Sequence, residues 1–212
     1  KGDQFKPSFL KISPNNRIPA IIDPNGPGGK PLSVFESGAI LQYLGRKSGK
    51  FYPKNERERS NVDQWLFWQM GGLGPMAGQA HHFRMYAPQF TKEKLTYSKK
   101  RYTNEVNRLY GVMNKQLRKN DYLAGRYSIA DMACWGWILP SKISSKMQGQ
   151  KLKEFPHLFK WFEKVGERPA VQKGLDVGKV MRMLAKASKS GLSEKTKEAK
   201  KARSLLFNQK AR

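Results

Sequence analysis

Hydrophobic and polar residues follow different patterns on the two sides of Pro53. Before it, the short apolar and β-branched runs 17–23 and 32–35 flank the Gly- and Pro-rich segment 24–29, and this arrangement predicts a β-hairpin. The apolar positions of 39–44 then repeat at helical spacing, which predicts a helix. We therefore expect a hairpin followed by one helix in this part of the chain.

After Pro53 the apolar positions repeat at helical spacing almost throughout. The glycines and the proline of 71–75 predict a bend or an interruption in the first helix of this half. Ser128 followed by Asp131 has the form of a capping box, which marks the start of a buried helix. The pattern predicts four helices, over 55–70, over 91–119, from Ser128 onward and over 155–168.

These patterns predict a fold of the α+β to mostly α class. A first domain over 1–50 contains the hairpin, and a second domain over 53–176 is all helical. Past Gly178 the aromatic residues nearly vanish and Lys-rich polar sequence takes over. We interpret 177–212 as an added basic tail.

Two classes of protein are excluded by simple features of the chain. The longest apolar run, 132–139, is far shorter than the roughly 18 residues that a membrane span requires, so no membrane partner is expected. A single cysteine, Cys134, excludes a disulfide framework and any zinc site built from several cysteines.

The charge of the chain is its most unusual property. The 212 residues include 41 Lys and Arg against 16 Asp and Glu, for a net charge of +25. The segment 177–212 holds 11 of the basic residues and two of the acidic ones, so the remainder keeps an excess of +16. A folded body and a tail that are both basic indicate a polyanionic partner.

Two sets of cations are predicted to contact nucleic-acid phosphates, one on the 91–119 helix and one in the tail. The alternative is that both sets are simply charged faces exposed to solvent. Such a face usually carries balancing acidic residues, whereas Glu105 is the only one within the first set. Neither set is interleaved with aromatic residues, so recognition of the RNA backbone is expected rather than reading of bases. The predicted residues are Arg101, Arg108, Lys115, Arg118, Lys195, Lys197, Lys200, Lys201 and Arg203.

Other motifs have structural interpretations that we favour over functional ones. The glycines around Gly72 nominally match a dinucleotide-binding pattern, but they follow a helix and meet Pro75, so a helix bend explains them better. His81 and His82 have no third metal ligand placed beside them, and no metal site is predicted. We interpret Asp131 as a helix cap and not as a catalytic acid.

Four segments of the chain together resemble the glutathione S-transferase family, and within it the nu-class and Ure2-like branch. The resemblance covers about residues 1–170, and its most specific part is the Trp-rich stretch at 64–75. The segments are Phe9-Leu10-Lys11-Ile12-Ser13-Pro14-Asn15-Asn16-Arg17-Ile18-Pro19-Ala20-Ile21, Phe35-Glu36-Ser37-Gly38-Ala39-Ile40, Gln64-Trp65-Leu66-Phe67-Trp68-Gln69-Met70-Gly71-Gly72-Leu73-Gly74-Pro75 and Tyr127-Ser128-Ile129-Ala130-Asp131.

The resemblance implies a partial thioredoxin-like domain at the start of the chain and the family's helical C-terminal domain after it. It also implies a glutathione half-site. Ile18, before a cis Pro19, would pair through its backbone with the cysteinyl part of glutathione. Glu36 and Ser37 would hold the γ-glutamyl end at a helix N-terminus. The family's thiol-activating residue lies in a leading β-α-β unit that we expect upstream of Lys1, so no catalytic residue is assigned.

Two functions follow from these observations. The leading hypothesis is a glutathione S-transferase-like protein that serves as a non-catalytic RNA-binding component of a ribonucleoprotein, in the setting of a mitochondrial ribosome in the matrix. It would contact RNA phosphates and neighbouring proteins and would require no cofactor. The alternative is a cytoplasmic glutathione transferase or glutathione-dependent disulfide reductase whose N-terminal catalytic unit is absent from this chain. The resemblance also allows the family's homodimer.

Overall fold

The computed structural model describes residues 2–177. These residues form two compact units, one of 36–166 and a smaller one of 2–35 with 167–177. The predicted domain limits at 50–53 and at 176 stay predictions. The basic tail, with Lys195, Lys197, Lys200, Lys201 and Arg203, lies outside the described residues.

The smaller unit contains the predicted hairpin. Strands β1 (Ala20–Asp23) and β2 (Leu32–Phe35) pair antiparallel, with Ile21 opposite Val34. Gly28 and Gly29 adopt φ of +66° and +71° in the connection between the strands, a conformation that glycine reaches without a steric penalty. The Ile18–Pro19 peptide bond before β1 is cis. The helices of this unit are α1 (Pro7–Leu10) and α9 (Pro169–Asp176).

The larger unit is built of helices. Its buried core includes a cluster of Tyr52, Val62, Leu66, Ile129 and Ala130, against which Met70 and Trp65 pack. A small sheet and a helical unit agree with the predicted fold class. The helices are α2 (Ser37–Ser48), α3 (Glu56–Trp68), α4 (Gly74–His81), α5 (Thr96–Leu117), α6 (Ile129–Ile143), α7 (Ser145–Gln148) and α8 (Pro156–Gly166).

The predicted interruption of the helix at 71–75 takes the form of a π-helical turn, before which α3 ends at Trp68. A π-helical turn, Gln69–Leu73, joins α3 directly to α4, and Gly74 donates its N–H to the carbonyl of Gln69. Pro75 lies in the first turn of α4, where the hydrogen-bond pattern changes back to that of an α-helix. Proline has no N–H to donate, and a helix tolerates the missing donor at such a point. A second π-helical turn, His82–Tyr86, follows α4.

The long amphipathic helix begins later than predicted. α5 starts at Thr96 and not at residue 91, because Leu95 before it adopts a left-handed conformation with φ of +53°. Its inward face is as expected, with Val106, Leu109 and Met113 fully buried.

Candidate functional site

The start of α2 is the candidate site of the larger unit. Glu36 precedes the helix with φ of +67° and ψ of +121°, a backbone conformation that is strained for a residue with a side chain. Ser37 is the first residue of the helix, and the carbonyl of Glu36 accepts the N–H of Ile40 at 2.9 Å. Free N–H groups and the helix dipole favour a carboxylate at such an end. Glu36 and Ser37 therefore lie where the sequence predicted them, at a helix N-terminus.

Ser37 is oriented by a residue that the sequence did not single out. Its hydroxyl donates to the Sδ atom of Met70 at 3.8 Å. Met70 lies in the π-helical turn after α3, 33 residues along the chain. No local sequence pattern indicates this contact.

α2 is fixed to α3 by a hydrogen-bonded group centred on Asp63. The Nε2 atom of Gln42 donates to the Asp63 carboxylate at 2.7 Å, and the hydroxyl of Tyr52 donates to it at 2.9 Å. Burial raises the pKa of Tyr52, and its hydrogen bond to Asp63 raises it further. Arg59 lies over the Tyr52 ring, 5.5 Å from its centroid. These contacts hold the helix that carries Ser37.

Asp131 acts as a structural cap, as predicted. It is fully buried, and its carboxylate accepts the N–H of Ser128 at 3.0 Å, the N–H of Leu123 at 3.1 Å and the indole N–H of Trp161 at 2.8 Å. The capping box with Ser128 is complete. Burial raises the pKa of Asp131, although each of these hydrogen bonds opposes the rise. The carboxylate thus caps the start of α6 and ties it to the Leu123 backbone and to Trp161 of α8.

Ile18 and Pro19 belong to the smaller unit, where they precede β1. The side chain of Ile18 is 72% exposed, so its predicted role depends on its backbone and not on its packing. The cis peptide bond that the resemblance implied is present. The assignment of all four residues, Ile18, Pro19, Glu36 and Ser37, to one glutathione site stays a prediction.

The cations of α5 are less free than the sequence suggested. The guanidinium of Arg108 forms two hydrogen bonds with the Glu105 carboxylate, at 2.7 and 2.9 Å, and Arg101 lies 3.8 Å from it. The hydrogen bond from Arg108 lowers the pKa of Glu105. Glu105 therefore offsets part of the charge of two predicted phosphate ligands, while Lys115 and Arg118 are exposed.

The remaining candidate groups have structural surroundings. The ring of His81 stacks on Tyr86 with the centroids 5.1 Å apart, and burial lowers its pKa. Burial raises the pKa of the fully buried thiol of Cys134. Within 2–177, no three His, Cys, Asp or Glu residues are grouped so that they could hold a metal ion. In the same residues, no helix combines the length and the apolar character that crossing a bilayer requires.

Two family models match the chain. The model of the glutathione S-transferase N-terminal domain matches residues 1–46, and that of the glutathione S-transferase C-terminal domain matches residues 80–175. Together they confirm the predicted fold class, a thioredoxin-like N-terminal domain with a small sheet and a helical C-terminal domain.

The chain is similar to characterised bacterial proteins over most of its length. It is 50% identical over 177 residues to the disulfide-bond oxidoreductase YfcG of Escherichia coli, which covers 82% of this chain and 79% of that protein. It is 38% identical over 177 residues to the disulfide-bond oxidoreductase YghU of the same organism, covering 82% of this chain and 59% of the relative.

Solved structures with glutathione or its disulfide share the fold. A glutathione transferase from Burkholderia graminis, with two glutathione molecules bound per subunit, is 42% identical with a TM-score of 0.76, covering 82% of this chain and 73% of that one. A glutathione transferase from Pseudomonas putida, with one glutathione disulfide bound per subunit, is 42% identical with a TM-score of 0.76, covering 83% and 76%.

These comparisons overturn the leading functional hypothesis. Two relatives are named disulfide-bond oxidoreductases, and the two solved glutathione transferases contain glutathione or glutathione disulfide. The predicted RNA-binding role in a mitochondrial ribosome is therefore wrong. The hypothesis rested on net charge, which is a property of the whole chain and identifies no site. The alternative, glutathione chemistry, agrees with the findings.

Proposed function

The chain belongs to the glutathione S-transferase family, and on that premise we propose that it binds glutathione and uses it to reduce disulfides, as a member of the nu-class and Ure2-like branch. The observation that carries the proposal is the start of α2, where strained Glu36 and the hydroxyl of Ser37 lie together at a helix N-terminus. The disulfide-bond oxidoreductases among its relatives support the choice of reaction. A cytoplasmic location and the family's homodimer accompany this proposal.

The proposed binding mode follows from the charges of glutathione. Its γ-glutamyl end carries a carboxylate and an ammonium group. The carboxylate accepts hydrogen bonds from the Ser37 hydroxyl and from N–H groups of the first turn of α2, where the helix dipole also favours it. The carboxylate of Glu36 pairs with the ammonium group.

Glutathione supplies the thiol that attacks a disulfide sulfur, so that two glutathione molecules become glutathione disulfide while the substrate disulfide becomes two thiols. The residues of this chain bind and orient the peptide for that exchange. Holding the reacting sulfur at a fixed position raises the rate because the encounter no longer costs translational freedom. We assign no residue of this chain to stabilising the thiolate.

The test of the proposal is an assay of the full chain with glutathione and bis(2-hydroxyethyl) disulfide. Glutathione reductase regenerates glutathione, so the loss of NADPH absorbance reports turnover. We expect a rate that is proportional to protein and saturates with glutathione. Glutathione binding without disulfide turnover would contradict disulfide reduction and favour transfer of glutathione to an electrophile, which is tested with 1-chloro-2,4-dinitrobenzene. Absence of both binding and turnover would overturn the proposal.

Glu36→Gln is expected to weaken glutathione binding about five-fold, because it removes one charge from a charge-assisted hydrogen bond at the helix start. Calorimetry with the full chain measures the dissociation constant. The control ligand is glutathione without its α-amino group. The wild type and the variant should bind this ligand with the same affinity. An equal loss for both ligands would show that Glu36 does not hold the ammonium group.

A further inference from the structure

We propose that Met70 is a positioning residue for glutathione, which holds the Ser37 hydroxyl and the first turn of α2 in the geometry that binds the γ-glutamyl carboxylate. The inference rests on the proposed function and deepens it. Its starting point is the hydrogen bond from the Ser37 hydroxyl to the Sδ atom of Met70, at 3.8 Å. Met70 belongs to the π-helical turn after α3 and is remote from Ser37 in sequence.

The second observation is the close packing of α2 on Met70. A Cβ atom added to Gly38 would lie 3.2 Å from the Cγ and Cε atoms of Met70 and 3.3 Å from its Sδ atom. Such distances are shorter than ordinary van der Waals contact, so the backbone of α2 rests directly against the methionine. The position of Met70 thus sets the position of the helix end that carries the free N–H groups.

The thioether suits this role because sulfur is a weak hydrogen-bond acceptor. The sulfur orients the Ser37 hydroxyl but accepts only a weak hydrogen bond from it. A carboxylate is a better acceptor, so exchange of the sulfur for the ligand is favourable. The contact holds the Ser37 side chain in one rotamer, so only the hydroxyl proton turns from the sulfur to the carboxylate, and less rotational freedom is lost on binding than for a freely rotating serine.

The turn that carries Met70 is itself an unusual structure. Gln69, beside it, is 2% exposed, and its Oε1 atom has no hydrogen-bond partner among the described residues. A Cβ atom at Gly74 would lie 2.5 Å from the Nε2 atom of Gln69 and 3.1 Å from the ring of Trp137. π-Helical turns recur at functional sites, and an unsatisfied buried atom calls for an explanation. A turn that is kept despite this unsatisfied atom and this close packing is consistent with a positioning role for Met70.

The experiment is a double-mutant cycle on the full chain with glutathione as the ligand. Met70→Leu keeps the volume and removes the acceptor, and we expect it to weaken binding about five-fold, the scale for immobilising one side chain. In the turnover assay the same change should appear in KM for glutathione with kcat retained. In a Ser37→Ala background Met70→Leu should have no further effect, because the group through which it acts is gone. The matched control is Met132→Leu, a partly buried methionine that packs on the same core cluster.

Three results would overturn the role of Met70. The first is a glutathione affinity of Met70→Leu equal to that of Met132→Leu. The second is a Met70→Leu effect on affinity that is as large in the Ser37→Ala background as in the wild type, and the third is a loss of activity that appears only in kcat. Should Met70→Leu not fold, Gly38→Ala tests the same contact from the α2 side, and unchanged glutathione affinity would again overturn the inference. A wild-type chain that binds no glutathione would reject the proposed function itself, which separates the two failures.

Discussion

Replacing Asp131 by alanine is expected to lower the free energy of unfolding by about 4 kcal/mol, an effect typical of breaking a buried polar network. The carboxylate accepts hydrogen bonds from the N–H groups of Leu123 and Ser128 and from the indole of Trp161. All of these donors are buried and would lose their acceptor. Urea denaturation of the full chain, followed by tryptophan fluorescence, measures the change.

The control for this variant is Ser128→Ala, which removes the other half of the capping box and the 3.3 Å hydrogen bond from the Ser128 hydroxyl, but leaves the Asp131 carboxylate with its three N–H donors. Loss of one N-cap side chain costs about 1 kcal/mol, so this variant should be distinctly more stable than Asp131→Ala. Equal stability of the two would contradict a network that joins α6, the Leu123 segment and α8 through a single carboxylate.

Ser37→Ala is expected to weaken glutathione binding about thirty-fold, which corresponds to about 2 kcal/mol for a hydrogen bond to a charged group. The hydroxyl is the side-chain donor that the start of α2 offers to the γ-glutamyl carboxylate. Calorimetry with the full chain gives the dissociation constant. Ser48→Ala is the matched control, because Ser48 ends the same helix and its hydroxyl donates to the carbonyl of Leu44. A loss below about three-fold, or an equal loss for both variants, would remove Ser37 from the binding site.

Local signals predicted the hairpin and the starts of α3, α6 and α8 well, whereas α5 begins five residues later than predicted. The Gly- and Pro-rich segment 24–29 permits the connection between β1 and β2, and the capping box of Ser128 and Asp131 involves residues three apart. Such features depend on neighbouring residues, so a sequence displays them. The indole of Trp161 on Asp131 depends on tertiary packing and could not be predicted in this way.

What the sequence could not predict depends on contacts between distant residues. The interruption at 71–75 becomes a π-helical turn in surroundings where the Gln69 side chain lies against Gly74 and Met70 lies against Gly38 and Ser37. The hypothesis of an RNA-binding function, which the comparisons overturned, rested on a sum of charges. A sum of charges does not show that Arg101 and Arg108 share Glu105.

The two π-helical turns that flank α4 also set the rotation of that helix about its own axis. Each turn holds one residue more than an α-helix of the same path needs, so it is equivalent to a one-residue insertion. A chain with one residue fewer in 69–73 would keep a continuous helix, but residues beyond the deletion would rotate by about 100° relative to those before it. One residue of this turn thus determines which face α4 presents to the helices around it.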